Sequence, residues 1–296
     1  MSEFLMRSLM FVPGHNEKLL ISAAKSEADV LLFDIEDSVQ PVINKQVARD
    51  TIQKYIQDGI FDKRIVYPRV NDRESGELLR DIYQLTIPGI NGFVYPKAKR
   101  GEDIYFFCKL LETIEYEKGF PIGTFKIIPL IETASAVLNA QEICAASKRV
   151  IAIAYGSEDF ITDLEGVHDR EHISLFTPRA LIAMAARAYN ITPIDTVHVK
   201  VHDLEDLERN LKLSKTLGYE GMLVLNPKEI PLVHKYFSPS DKEVADAVEM
   251  LELAGEASKN GEGVAIKEGK FIGPPMIKAA GKTLLKSKLI NRKRIL

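Results

Sequence analysis

The chain is poor in cysteine, has no long apolar run and carries no strong excess of either charge. Cys108 and Cys144 are its only two cysteines in 296 residues. Each lies within a helical pattern, and two isolated cysteines make neither a disulfide framework nor a zinc motif. A reducing, cytoplasmic compartment is therefore expected. No stretch approaches the roughly 18 apolar residues of a membrane span. The opening MSEFLMRSLMFVPG has no basic segment leading into a long apolar one, so no signal peptide is expected. A net charge of −3 lacks the basic excess that general nucleic-acid binding requires. No G-x-G-x-x-G follows the first strand-like run, which removes the usual sign of a doubly wound dinucleotide-binding sheet.

What is present is alternation. Short apolar runs at 8–12, 30–34, 65–69, 92–95, 126–131, 150–154, 196–200 and 222–225 are rich in Val, Ile, Leu and Phe. They barely alternate with polar residues, as strands of a parallel sheet covered on both faces should read. Longer amphipathic patterns separate them, such as NEKLLISAAKSEA, NKQVARDTIQKYIQDG and LEDLERNLKLSKTLG, the last ending on Gly218 as a C-cap. Eight such units fit a (β/α)8 TIM barrel by count and length. The expected catalytic barrel covers residues 1–238. Residues 239–296 read as an appendage: a helix ending near Asn260–Gly261, a small hairpin in VAIKEGKF and a final helix opened by proline. So small a segment cannot build a large core and should pack on the barrel or on a neighbouring subunit.

In such a barrel the C-terminal ends of the strands form one rim, where active sites lie. The residues following the strands are Pro13 to Asn16; Asp34, Glu36 and Asp37; Arg69 and Asn71; Lys97; Glu132 and Thr133; Gly156 to Asp159; and Asn226. Two apolar strands ending in acid, IIPLIETASA at Glu132 and IAIAYGSEDF at Asp159, need a partner for each buried charge. Converging carboxylates in oxygen-rich surroundings suit a hard cation. Mg2+ fits best and Mn2+ can substitute, whereas zinc lacks His or Cys at ligand spacing. A purely structural alternative pairs these acids with Arg69 or Lys97, or has them cap the following helices.

The motifs RSLMFVPGHNEKLL, LLFDIEDSV, YPRVND, IIPLIETASAV and YGSEDFITDL, in this order, resemble the signatures of the citrate lyase beta-subunit family. The resemblance runs from Arg7 to about Ile277, and the relatives include malyl-CoA and citramalyl-CoA lyases. It implies a barrel, bound Mg2+ and retro-Claisen cleavage of a 3-hydroxy-acyl thioester. By the resemblance, Glu132 and Asp159 are the metal carboxylates and Arg69 grips the 2-oxo-acid carboxylate. Asp34, Glu36 and Asp37 form an acidic cluster, with Asp37 or Glu36 as the base. Lys45 stands where the family often places a lysine and is expected to bind substrate, as is Gly156, near which backbone N–H groups would meet the thioester enolate. The sequence departs from the family where Val42 follows Pro41, and at His198 and Lys200. Asn226-Pro227 after the eighth strand is closer to citrate lyase beta subunits than the His-Pro of many CoA lyases.

The implied reaction is cleavage of a citryl thioester, on acyl-carrier protein or CoA, to oxaloacetate and an acetyl thioester. The alternatives are citramalyl-CoA or malyl-CoA lyase, or a non-catalytic subunit that docks carrier protein within a lyase complex. A homotrimer or hexamer is expected, with no nucleic-acid or membrane partner. Other features read more simply. His168 and His172 in HDREH are a solvated loop, and Tyr67, Tyr95 and Tyr155 are packing residues. The basic tail is a solvated helix face, or a landing patch for an acidic carrier.

Overall fold

The computed structural model describes residues 4–169, 172–200, 202–259, 265–267 and 270–295. The chain divides into two compact units, one from Met6 to Val233 and one from His234 onward. The first holds eight parallel strands: β1 Ser8–Pro13, β2 Val30–Asp34, β3 Ile65–Val66, β4 Gly92–Tyr95, β5 Lys126–Ile131, β6 Ala152–Tyr155, β7 Thr192–Asp195 and β8 Gly221–Val224. Their order is β3-β2-β1-β8-β7-β6-β5-β4, so β1 pairs with both β2 and β8, as in a TIM barrel. All five residues of β2, VLLFD, are buried, which explains why its apolar run does not alternate. Burying each large side chain of this kind contributes about 1.5–3 kcal/mol.

Between β3 and β4 the barrel closes through a single residue. Arg69 bridges to Asp34 on one side and Val94 on the other. Its N–H donates to Phe33 O at 2.8 Å, its carbonyl accepts from Ile35 N at 3.0 Å, and Val94 N donates to Pro68 O at 2.9 Å. The third strand, expected over 65–69, is thus a two-residue ladder followed by this bridge. The helices begin and end where short-range chemistry requires. Asn16 caps helix Glu17–Ala24 by accepting from Leu19 N, and Asp203 caps helix Leu204–Leu217 by accepting from Asp206 N. The latter helix stops at Gly218, whose φ of 90° suits glycine.

One expected strand is misplaced. Residues 196–200 form a loop, and the seventh strand is Thr192–Asp195. Pro193 makes this run look like a turn, yet it sits level with Glu220, before β8 begins. Its missing N–H breaks no ladder bond there. In the loop the apparent alternation is inverted, with His198 5% exposed and Val199 49% exposed.

The opposite end of the barrel carries buried charges of its own. Arg7 pairs with Asp29 at 2.8 Å and Arg149 with Glu115 at 2.5 Å, all four buried. These are closed pairs, and Glu115 also accepts from the backbone N–H groups of Gly123 and Phe125. Cys108 and Cys144 are free and buried.

The second unit contains helix Asp241–Lys259, an antiparallel hairpin of β9 Ala265–Lys267 and β10 Lys270–Ile272, and helix Pro274–Ile295. Ala257 and Ile272 form its small core, with Met250, Leu253 and Ile277 packed against them. The expected helix end near residues 260–261 lies outside the described residues. Among the described residues no helix is long and apolar enough to cross a membrane.

Candidate active site

The rim where β2, β3 and β4 end carries a network of charges centred on Arg69. Asp34, the last residue of β2, is buried and faces the guanidinium with both oxygens, at 2.7 Å to Nε and 2.8 Å to Nη2. Its oxygens also accept from Glu36 N and Ser38 N, each at 3.0 Å, which folds the β2 loop around the carboxylate. Burial alone would raise the Asp34 pKa, but the Arg69 charge and these donors outweigh it and hold the carboxyl below its usual range. The other edge of Arg69 meets Glu36 at 3.1 Å and the half-exposed Asp37 at 3.3 Å, and the guanidinium lies 4.8 Å from the Phe11 ring centre. Arg69 therefore presents its best bidentate edge to Asp34. An incoming carboxylate would meet the edge where Glu36 and Asp37 now stand.

Lys97 joins this network to Glu132. Its ammonium lies 2.8 Å from Glu36 Oε1, and its main-chain N–H donates to Glu132 Oε1 at 2.5 Å. Glu132 directly follows β5 and is 2% exposed. Burial, with the nearby charges of Glu36 and Asp159, pushes its pKa up to about 8. Burial also raises Glu36, to about 7, because Arg69 and Lys97 compensate only in part. The site therefore holds more carboxylate than its own cations neutralise. Glu132 is not the cap of the following helix, since Thr133 accepts from Ala136 N in that role.

Asp159 is exposed and stands in the first turn of helix Ser157–Asp163, where its charge reaches Glu132. Gly156 opens that helix. A Cβ at Gly156 would lie 2.8 Å from Glu132 Cβ and 2.9 Å from Glu132 Oε2, so only a bare Cα fits there. Its N–H is committed to Ile131 O at 3.0 Å, and the next one, of Ser157, to Thr196 Oγ1 at 3.1 Å. These two groups are not the expected donors to an enolate. Gly156 contributes space, not a hydrogen bond.

Lys45, expected to bind substrate, is buried beneath the loop. Its ammonium bonds Ile35 O and Glu36 O, each at 3.3 Å, and Asn71 Oδ1. Asn71 in turn donates twice to Asp81, and Arg49 ties Asp81 to Glu77. This chain of buried polar groups supports the acidic loop. Sequence reading missed Asp81 and Arg49, because both sit inside ordinary amphipathic helices with nothing local to distinguish them.

On the far side of the rim, His198 is buried between Asp206 at 3.2 Å and Glu229 at 3.8 Å. Burial lowers its pKa, but the interactions with Glu229 and Asp206 outweigh that and raise it. Lys200 is 3.6 Å from Asp206. His168 pairs with Glu158, whereas His172 meets Asn210, so the two histidines of HDREH do not converge. Tyr67, Tyr95 and Tyr155 are all buried, as packing residues are. Among the described residues, no three His, Cys, Asp or Glu side chains are grouped to hold a metal ion.

The rim acids, the barrel and the ordered motifs coincide with a known pattern. The HpcH/HpaI aldolase/citrate lyase family matches residues 7–227. The chain belongs to this family. Citrate lyase subunit beta of Haemophilus influenzae is 33% identical over 96% of this chain and 97% of its own length. L-malyl-CoA/beta-methylmalyl-CoA lyase of Cereibacter sphaeroides is 30% identical over 96% of this chain and 95% of its own. Both relatives are carbon–carbon lyases by name. Among solved structures, CitE of Mycobacterium tuberculosis in complex with magnesium, acetoacetate and coenzyme A is similar, with a TM-score of 0.73 and 25% identity. That match covers 95% of this chain and 97% of the other.

Proposed function

We propose that the chain is a Mg2+-dependent carbon–carbon lyase that cleaves a citryl thioester, on acyl-carrier protein or CoA, to oxaloacetate and an acetyl thioester. The observation that carries this reading is the surplus of buried carboxylate at the rim. Glu132 is raised to about 8 by burial and by its acidic neighbours, beside the Arg69 fork. A cation of small radius and high charge would offset that surplus in place of a proton. The donors are all oxygen, with Glu132 and Asp159 as the two carboxylates that would hold it. Mg2+ is commonly bound by one or two carboxylates with several waters and the substrate, so a third side-chain ligand is not needed. The magnesium in the similar Mycobacterium tuberculosis structure agrees with this choice.

When bound, the cation supplies Lewis-acid stabilisation of the charge that develops on the substrate hydroxyl oxygen. Arg69 receives the carboxylate on the hydroxyl-bearing carbon, along the edge from which exposed Asp37 can withdraw. Glu36 takes the hydroxyl proton; held between Arg69 and Lys97, it has a fixed position near that edge. The carbon–carbon bond then breaks, leaving a 2-oxo acid and placing the electron pair on the thioester α-carbon, which takes a proton from solvent to become the acetyl group while Glu36 returns its proton to solvent. Asp34 keeps Arg69 oriented, and Lys45 keeps the Glu36 loop in place.

A citramalyl- or malyl-CoA lyase is the second reading, favoured by the malyl-CoA lyase relative at 30% identity. A non-catalytic subunit that docks carrier protein within a lyase complex is the remaining alternative, and a homotrimer or hexamer is part of the proposal. The test is a cleavage assay with Mg2+ that offers citryl-CoA and citramalyl-CoA in parallel, with separate coupling enzymes for oxaloacetate and pyruvate. Oxaloacetate from citryl-CoA supports the first reading. Pyruvate from citramalyl-CoA keeps the chemistry and moves the substrate. No product from either, from malyl-CoA, or from the carrier-protein thioesters overturns the catalytic reading.

A further inference from the structure

Lys97 lies just past β4 with φ 53°, a left-handed backbone that a lysine seldom adopts. Strain of this kind persists only where the surroundings impose it. Here the imposed geometry has a visible result. The main-chain N–H points at Glu132 Oε1 from 2.5 Å, while Oε2 of the same carboxylate lies against the bare Cα of Gly156. The side chain runs the other way, where the ammonium meets Glu36 at 2.8 Å and Asp37 at 4.0 Å on the β2 loop, and Asp72 at 3.6 Å on the segment after β3. One residue thus reaches acids after three strands, β2, β3 and β5, through two different groups.

We propose that Lys97 is a positioning residue that sets Glu132 with its left-handed main chain and Glu36 with its ammonium. The inference rests on the reading of Glu132 as a metal carboxylate and adds a residue to it. With one Glu132 oxygen held by the Lys97 N–H, the rotation of the carboxylate is fixed and its second oxygen faces the Gly156 gap. With Glu36 held by the ammonium, the proton acceptor keeps a constant place relative to Glu132. The two functions are separable, because one belongs to the backbone and the other to the side chain.

Two substitutions separate them. Lys97→Gly and Lys97→Val both remove the ammonium, but only glycine accepts φ 53° without strain, and a β-branched residue opposes it. Mn2+ binding to the full chain is measured by paramagnetic resonance titration. Lys97→Gly should bind within threefold of the wild type, and Lys97→Val at least tenfold more weakly. In the cleavage assay, Lys97→Gly should lose at least tenfold in kcat with KM close to wild type, and Lys97→Arg should recover part of that loss. Equal Mn2+ affinities of the glycine and valine variants overturn the main-chain function, and wild-type kcat in Lys97→Gly overturns the side-chain function. If Lys97→Val does not fold, Lys97→Ala strains the same backbone less and must still bind Mn2+ more weakly than Lys97→Gly. Crystal structures of the variants supply a readout independent of metal and turnover. A wild type that binds no Mn2+ removes the metal reading of the site, whereas a Glu132 carboxylate unmoved in the valine or alanine variant overturns the proposal for Lys97 itself.

Discussion

Removing the Arg69 guanidinium would leave Asp34 buried without its bidentate partner. Breaking a buried pair from one side costs about 3–5 kcal/mol, so Arg69→Ala should lose turnover and also melt at a clearly lower temperature. Thermal unfolding beside the cleavage assay checks both, and an unchanged melting temperature would contradict the pairing. Glu132 should behave in the opposite way. Its folded pKa of about 8 lies above the ordinary 4.5, so the folded chain holds this proton more tightly than the unfolded one. Stability from this group is therefore greatest at acid pH and falls as the pH rises from about 4.5 through about 8. Glu36, raised to about 7, acts in the same direction. Metal-free Glu132→Gln should thus be more stable than the wild type, by a margin that widens from pH 5 to pH 8, while losing turnover. Added Mg2+ should stabilise the wild type by about 2.7 kcal/mol at a hundredfold excess over Kd, and the variant far less. Melting curves across pH, with and without Mg2+, decide this.

Among the elements, the turn from β6 into helix Ser157–Asp163 is tightly constrained by Glu132. An alanine at Gly156 would put Cβ 2.8 Å from Glu132 Cβ, so Glu132 must move. Gly156→Ala should lower Mn2+ affinity at least tenfold while the barrel stays folded, as titration and circular dichroism would show; affinity equal to wild type would mean that Glu132 is not held there. Much of this arrangement was legible in the sequence, since strands buried on both faces announce themselves as unbroken apolar runs and their last residues mark the rim. Asp34, Glu36, Arg69, Glu132 and Asp159 all stand at or after strand ends, where that reading put them. What was missed depends on three-dimensional proximity or on main-chain direction. Pro193 hid β7 because a proline at the start of a strand looks like a turn until its neighbour is known to begin later. Lys45 looked like a substrate contact because no local pattern shows that its ammonium points at Ile35 O and Glu36 O. The Lys97 N–H and its left-handed φ have no sequence signature, since glycine or asparagine is the usual sign of that conformation.

For the whole molecule, the two units differ in how much structure each can hold by itself. The barrel unit has eight strands closed through Arg69, with its core and its rim network both contained between Met6 and Val233. Among the described residues, the second unit has a small cluster of Ala257 and Ile272 with three partly buried neighbours, and Ala247 and Ala280 are also buried in its helices. A core that small falls below what an independent domain usually needs. Deleting residues 239–296 should therefore leave a folded barrel that still unfolds cooperatively. Its fate in assembly and catalysis is a separate matter. If the second unit links subunits and completes a neighbour's rim, the truncated chain should be monomeric by light scattering and inactive in the cleavage assay while keeping Mn2+ affinity near wild type. Retained metal binding is the informative part of that result, because Glu132, Asp159 and Lys97 all belong to the barrel unit. A truncated chain that is monomeric and fully active would refute the link between assembly and catalysis and leave the barrel rim as a complete site.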